Sequence, residues 1–484
     1  MSTKYYHGVR VQEESSVVAS PVTGTVGLQA VFGTAPINLV EEPEEAVNIP
    51  IVCQSMEEAK VKLGYSEDFQ AYTLCQSMYA SFSAFAVAPV VFINVLDPAK
   101  HKKENKEKEY APANGQVTVS TSGILKKSVV VKLEEEILVV DTDYLLSFDK
   151  AGNLIITLIS EKAKAAATLK VASSSIDPTL VTDADIIGGY DAETGKETGL
   201  EVLRQVYPRT GMTASLIIAP GWSHKPEIGA IMMAKCEAIN GVFSAECLLD
   251  LDTSVANIYT KCQKVKEENG YTDRHAIAMW PMAKIDGRQM YYSAVYGAMT
   301  SYTDAENDNV PCISPSNLLL HVTDAVLSDG TSIFMDREQA NTLNGQGIVT
   351  LINESGWRSW GNNTAAYPEV TEIRDRWICC RRMFTWMGNS LITTYHERVD
   401  NPGNFRLIES ICDAENIRLN SYTAAGKMAG GRVEYDEAEN KVEMLLGGHI
   451  IFRLYMAAFT PAEDILFILK FDPALLEASL RGGE

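Results

Sequence analysis

Residues 214–281 read ASLIIAPGWSHKPEIGAIMMAKCEAINGVFSAECLLDLDTSVANIYTKCQKVKEENGYTDRHAIAMWP. Short apolar runs alternate here with two longer stretches of helical character, and Gly or Pro marks several of the boundaries. The strand candidates are residues 214–219, 243–251 and 275–281, and the helix candidates are residues 226–239 and 255–268. Strands that alternate with helices predict a parallel sheet covered by helices, so this part of the chain is expected to be an α/β layer.

A first folded unit is predicted upstream of this layer. Residues 24–35 predict a buried strand closed by Pro36, residues 56–63 and 69–85 predict helices, and residues 90–96 predict another strand. The block of mixed charge at residues 100–109 is interpreted as a solvated linker, because it lacks aromatic residues and both signs occur. The short β-branched runs that follow predict a small β-sandwich inserted at residues 113–175.

The C-terminal part of the sequence predicts an α+β unit. Residues 370–399 carry apolar side chains at alternating spacings of three and four, which predicts one long amphipathic helix that ends at Pro402. A second helix is expected at residues 404–422. Strands are expected at residues 432–435, 442–446, 450–457 and 464–471.

Both chain ends alternate like strands and lack the apolar mass to fold alone. An extended arm of ~20 residues reaches at most roughly 65 Å. A compact body of this chain length has a radius of gyration of about 23 Å, so such an arm can reach a neighbouring subunit. We therefore expect both ends to pair with a neighbour's C-terminal sheet around residues 442–457. The candidate arm residues are Tyr6, Val9, Arg10, Val11, Ile465, Phe467, Leu469 and Phe471.

Size and charge narrow the classes of function. The chain has 484 residues, which predicts two to four domains, and a net charge of −21, which disfavours nucleic acid and anionic lipid as partners. The opening residues lack the apolar core of a signal peptide, and the nine cysteines are scattered and odd in number. These features predict a protein of the reducing cytoplasm without disulfides, structural zinc or a membrane-spanning segment.

Catalytic motifs are weak. A nucleophile elbow is absent because Lys225 stands where the second Gly of Gly-x-Ser-x-Gly is needed. Asp250 and Asp252, at the end of a predicted parallel strand, are candidates for binding magnesium and a phosphate ester, although Asp at this position also caps the following helix. The vicinal Cys379 and Cys380 are interpreted as packing residues, because nothing nearby acts as a resolving pair.

Several segments, in order along the chain, resemble contractile tail sheath proteins of contractile-tailed phages and R-type bacteriocins. They are YHGVRV at 6–11, LNGQGIV at 343–349, GWRSWGNNT at 356–364, RRM at 381–383, GGRVEY at 430–435 and PAEDI at 461–465. Asn363 departs from the pattern, because related proteins often carry a basic residue there.

The resemblance implies a multidomain α/β and α+β fold without an enzymatic activity or a cofactor. An α/β sheath core would carry an inserted small β-sandwich and extended N- and C-terminal β arms. The boundaries expected are 1–20 for the N-terminal arm, 21–112 for the first part of the core with its linker, 113–175 for the insert, 176–340 for the α/β domain, 341–463 for the inner domain and 464–484 for the C-terminal strand and arm.

The resemblance also implies a function and a set of partners. Many copies would form a helical cylinder around an inner tail tube and contract to drive that tube through a cell envelope, with baseplate and tail terminator proteins as further partners. Assembly would take place in the bacterial cytoplasm, for a virion tail or a released bacteriocin. Arg374, Arg376, Arg381 and Arg382 would face the tube, or would flank the apolar stripe of their own helix. The alternative is a cytoplasmic α/β enzyme that uses Asp250 and Asp252 with magnesium.

Overall fold

The computed structural model describes residues 26–149 and 151–481, and the candidate arm residues Tyr6, Val9, Arg10 and Val11 lie outside this part of the chain. The strands are β1 (Gln29–Gly33), β2 (Ile51–Cys53), β3 (Val90–Asn94), β4 (Lys102–Tyr110), β5 (Gln116–Val119), β6 (Val130–Leu133), β7 (Glu136–Ile137), β8 (Tyr144–Phe148), β9 (Leu154–Leu158), β10 (Leu169–Ile176), β11 (Gly189–Tyr190), β12 (Glu197–Thr198), β13 (Leu216–Ile218), β14 (Glu246–Asp250), β15 (Ala276–Met279), β16 (Met282–Ile285), β17 (Arg288–Met290), β18 (Asp324–Val326), β19 (Ile348–Asn353), β20 (Trp357–Trp360), β21 (Gly430–Glu434) and β22 (Arg453–Ala457). The helices are α1 (Met56–Leu63), α2 (Leu74–Met78), α3 (Glu161–Lys164), α4 (Asp183–Ile187), α5 (Val206–Thr210), α6 (Pro226–Glu237), α7 (Tyr259–Glu268), α8 (Tyr292–Glu306), α9 (Arg337–Asn344), α10 (Ile373–Arg376), α11 (Ile378–Tyr395), α12 (Phe405–Ala424), α13 (Val442–Leu446) and α14 (Pro473–Leu480).

The core is an eight-stranded sheet with the order β2-β3-β1-β13-β14-β15-β19-β20. Strands β1, β3, β13, β14, β15 and β19 are parallel, which confirms the α/β layer expected from residues 214–281. Helix α6 begins with Pro226 in its first turn, as predicted. Helix α7 begins later than predicted, because the backbone carbonyl of Asp252 first accepts from the amide of Ala256 at 2.7 Å and closes a separate turn.

The charged block at residues 100–109 is not a linker. Residues Lys102–Tyr110 form β4, a nine-residue strand that pairs antiparallel with β10, and Lys102 lies opposite Ile176 at the far end of the pair. The prediction of a solvated linker was wrong because backbone pairing with a strand about seventy residues away, rather than side-chain burial, holds this segment. Its charged side chains stay in water, and Lys132 of β6 binds Glu107 at 2.8 Å.

The β-rich segment downstream forms two sheets. One has the order β4-β10-β6-β7 and the other the order β5-β9-β8. Their inward side chains make a hydrophobic cluster separate from the main core, which includes Val117, Val131, Ile156 and Val171. The unit therefore has its own apolar centre, and its two ends meet where β4 and β10 begin and end.

The C-terminal part differs from the prediction at three places. The helix expected at 370–399 is broken at Trp377, because the backbone there pairs with residues 362–364 and leaves α10 and α11 as separate helices. Residues 442–446 form the single-turn helix α13 instead of a strand. Residues 464–471 form no strand, and no neighbouring strand in the described part of the chain accompanies them.

None of the helices in the described residues is long and apolar enough to cross a membrane.

Candidate assembly interface

Helix α11 is fixed to the core by a buried ion pair. Arg382 donates from Nη1 to Oδ1 of Asp304 at 3.1 Å, and a second hydrogen bond joins Nη2 to Oδ2. The two side chains are only 2% and 1% exposed. Burial alone would lower the pKa of the Arg382 guanidinium, but the Asp304 carboxylate raises it, so Arg382 is charged inside the protein. One element of the C-terminal part is thereby locked to α8 of the core.

The four arginines predicted to face a tube do not form one surface. Exposure of their side chains falls from 41% at Arg374 through 24% at Arg376 and 11% at Arg381 to 2% at Arg382. Arg374 and Arg381 both bind Asp375, at 2.7 and 2.8 Å. Burial would raise the pKa of Asp375, but hydrogen bonds from these two arginines lower it to about 2. Arg381 and Arg382 are thus held inside the subunit by carboxylates that the sequence pattern did not identify, and the expectation that some of the four arginines face a tube stays a prediction.

Strands β21 and β22 form a two-stranded sheet with one open side. Five backbone pairs join them, from Gly430 with Ala457 to Glu434 with Arg453. On the far side of β21, Asn416 of α12 binds both polar backbone groups of Val433, at 2.9 and 3.2 Å. In contrast, β22 has no second neighbouring strand among the described residues. A two-stranded sheet is marginally stable alone, so the edge of β22 is suited to receive another strand.

The C-terminal extension, residues 458–481, exposes a series of apolar side chains from residue 465 onward. The candidate arm residues Ile465, Phe467, Leu469 and Phe471 are 68%, 83%, 95% and 78% exposed. Helix α14 at its end also exposes Leu475 and Leu480. Contiguous exposed apolar side chains of this kind are typical of interaction surfaces.

The described N-terminal end starts beside the buried ion pair. The backbone carbonyl of Gly27 accepts a hydrogen bond from Ser301 Oγ at 2.5 Å. Gly27 has a φ of +75°, and a Cβ atom there would lie 2.9 Å from Asp304 Oδ2, so only glycine suits this close approach. Gly27, near the start of the described chain, is therefore held against α8, which the Arg382–Asp304 pair joins to α11.

Asp250 and Asp252, the carboxylates of the enzyme hypothesis, accept hydrogen bonds that stabilise the fold. Asp250 is buried and accepts from the Ser293 amide at 3.0 Å and from the hydroxyls of Ser293 and Ser223 at 2.5 and 2.9 Å. Burial raises the pKa of Asp250 to about 6. Asp252 accepts from the amide and the hydroxyl of Ser254, which is capping chemistry for the turn that follows. Among residues 26–149 and 151–481, no group of three His, Cys, Asp or Glu side chains is placed to hold a metal ion.

Cys379 and Cys380 pack as the sequence suggested. Both are buried beside Trp377 and Ala458. The hydrogen bond with Cys380, together with burial, raises the pKa of the Cys379 thiol, which makes it a poor nucleophile. Both thiols approach the carbonyl of Phe459, at 3.8 and 3.7 Å. Sequence reasoning found the packing but not its partner, since the C-terminal extension lies about eighty residues further along the chain.

Comparison with known proteins shows similarity over the whole chain. The tail sheath protein of Burkholderia phage BcepMu is 25% identical over 505 aligned residues, with all of both chains covered. The major tail sheath protein of Serratia phage KSP20 is 21% identical over 64% of this chain and 77% of its own. The sheath of an extracellular contractile injection system, PVC, solved in its contracted state, shares the fold with a TM-score of 0.58 at 15% identity and covers 98% of this chain and all of its own. No family model matches. The chain is therefore similar to tail sheath proteins along its whole length, and these comparisons give no support to an enzyme.

Proposed function

We propose that this chain is the subunit of a contractile sheath, which polymerises into a helical cylinder around an inner tube and contracts to drive that tube through the envelope of a target cell. The observation that carries this proposal is the uncovered apolar extension on a body that also has an open sheet edge at β22. A lone subunit gains nothing from these two features, whereas a polymer uses both. The homology to tail sheath proteins along the whole chain supports the same function.

The linkage between subunits would be strand addition. Residues 464–471 of one copy, and the strand-like residues 5–12, would pair with the β22 side of the small sheet in neighbouring copies. Each backbone hydrogen bond contributes about 0.5–1.5 kcal/mol net, so an added strand supplies several kcal/mol before the cost of ordering is subtracted. Such a junction holds subunits together while it allows their bodies to shift, which a contracting lattice requires.

The inserted unit would project from the outside of the cylinder. It has its own hydrophobic cluster, and Lys102 and Ile176, where it joins the core, lie opposite each other. A unit attached in this way can be present or absent without a change in the core sheet. We therefore propose residues 102–176 as the insert, wider than the 113–175 expected from sequence.

The inner surface would carry Arg374, whose guanidinium is the most exposed of the four predicted arginines. An acidic inner tube would receive one such contact from every subunit, and many weak contacts add up around a cylinder. The baseplate and tail terminator proteins remain the partners proposed for the two ends. Assembly is proposed to take place in the bacterial cytoplasm, for a phage tail or a released bacteriocin.

Negative-stain electron microscopy of the purified chain tests the function. Hollow cylinders or filaments support the sheath, whereas small uniform particles that hydrolyse a phosphate ester with magnesium support the enzyme alternative. Asp250→Asn is the matched variant, because an enzyme would lose activity and a sheath would keep its cylinders.

A further inference from the structure

The first residues of the C-terminal extension, 458–463, are attached to the body, unlike those that follow. We call these six residues the extension root. Ala458 packs on the cluster of Trp377, Cys379 and Cys380, and both thiols point at the Phe459 carbonyl. From residue 464 onward the side chains are exposed. Glu463 is the last residue of the extension that makes a hydrogen bond or an ion pair with the body in the described part of the chain.

An ion pair between Arg376 and Glu463 holds the last residue of the extension root. Arg376 donates from Nη2 to Glu463 at 3.1 Å and from Nε to Asn363 Oδ1 at 2.9 Å. Its guanidinium also lies over the rings of Trp377 and Tyr367, 3.9 and 4.5 Å from their centres. An arginine held on three sides is already in position for its carboxylate, so little side-chain entropy is lost when the pair forms.

A cavity with several polar side chains in its lining lies beside the Arg376–Glu463 ion pair. The cavity, of about 550 Å³, lies between the extension root and the neighbouring loops. Its lining includes the amides of Asn341, Asn344 and Asn363 together with Arg376 and Glu463. The root is thus held by a few defined contacts around a cavity, rather than by continuous apolar packing, and such contacts can open without damage to the core.

We propose that Arg376, Cys379 and Cys380 form a clamp on the extension root, so that the extension pivots beyond Glu463 and any pull on it is passed to α11. From α11 the pull continues through Arg382 and Asp304 to α8, whose first turn is bound to the central strand β14 by Asp250. Arg376 is then a positioning residue for the extension. This inference rests on the proposed function only for the source of the pull, because the clamp itself exists in the lone subunit.

The clamp can be tested by the labelling of Cys379 and Cys380 with N-ethylmaleimide in the unassembled full-length chain, read by peptide mass spectrometry. The extension root covers these thiols, so Arg376→Ala or Glu463→Gln should speed their labelling about fivefold, the factor that corresponds to about 1 kcal/mol. Arg374→Ala is the matched control on the same short helix and should leave the rate unchanged.

Cys75, fully buried in the core, reports on the fold as a whole. Faster labelling of Cys379 and Cys380 with Cys75 unchanged supports the clamp. Wild-type rates in Glu463→Gln, or an equal rise at Cys75, would each overturn it. Failure of the wild-type chain to polymerise would instead count against the proposed function, and it leaves the labelling result intact.

Discussion

Arg382 and Asp304 form an ion pair that is almost completely removed from solvent, although 78 residues separate them in the sequence. Asp304 lies near the end of α8, whereas Ser293 in the first turn of the same helix is bound by Asp250 of β14. Helix α8 is therefore tied at one end to the central sheet and at the other to α11. These two contacts fix α11 to the central sheet through α8.

Arg382→Ala should strongly destabilise the subunit. Removal of one partner leaves a buried carboxylate without compensation, so the free energy of unfolding should fall by about 3–5 kcal/mol. Urea unfolding of the unassembled chain, followed by circular dichroism, measures this. Arg432→Ala is the control, because Arg432 and Glu434 form an exposed pair, and its effect should stay within about 0.5 kcal/mol. Equal losses in the two variants would contradict the assigned role of the buried pair.

Deletion of residues 1–20 should give a folded chain that forms no sheath. The deleted residues are predicted to pair with neighbours, so the thermal midpoint should match that of unassembled full-length chain while cylinders disappear from electron micrographs. Val9→Asp with Val11→Asp keeps the length but removes the apolar side chains, and it should fail in the same way. A truncated chain that still builds contractile cylinders would rule out this linkage, whereas an unfolded aggregate would indicate that the segment folds back on its own body.

Replacement of residues 102–176 by a short Gly/Ser bridge should leave sheath formation intact. The bridge is short because Lys102 and Ile176 are paired, and the contact between His101 and Asp177 outside them is retained. A second variant, which lacks only residues 113–175, serves as the comparison for the 102–176 deletion. It strips β4 of its partner, so trypsin should cut this variant after Lys103, Lys106 or Lys108. A folded 102–176 deletion that no longer polymerises would place the insert within the assembly interface.

Asp250→Asn should change how stability depends on pH. Burial raises the pKa of Asp250 from 3.8 to about 6, so between these values the folded state binds the proton more tightly than the unfolded state. Relative to Asp250→Asn, the wild type should therefore lose stability, up to about 3 kcal/mol, as pH rises from 4 through 6. Urea unfolding at several pH values measures the difference. Asp252→Asn is the control outside the buried cluster, and an equal pH dependence in both comparisons would disprove this role.

Arg374→Glu should weaken binding of the inner tube without loss of sheath formation. The double substitution of Arg381 and Arg382 cannot test tube binding, because both side chains are buried in ion pairs that stabilise the fold. Arg374 also binds Asp375, but its side chain is 41% exposed, and each exposed contact of this kind contributes about 0.2–1 kcal/mol. Co-sedimentation of tube with sheath at low salt gives the readout, and Arg432→Glu is the matched control. Unchanged tube content in Arg374→Glu would show that this residue does not face the tube.

The sequence predicted the strands and helices whose formation depends on a local pattern of residues. The parallel strands within 214–281 are continuous apolar runs, and Pro226 marks the start of α6 by its fixed backbone angle. Three of the misses depend on distant partners. Strand β4 needs β10, the break at Trp377 needs the backbone of residues 362–364, and the burial of Arg382 needs Asp304. A charge or helical pattern in one segment holds no information about which distant residue will bind it.

The charged outer edge of β4 has a consequence for selective self-association. This strand borders its sheet, and Lys and Glu follow one another along it in an arrangement that resists pairing with a second chain. At the concentrations at which a protein polymerises, disordered aggregates would form if every sheet edge could pair with a strand of another copy. The hydrophilic border of β4 disfavours pairing between copies at this edge, which is compatible with the strand addition proposed for the small C-terminal sheet.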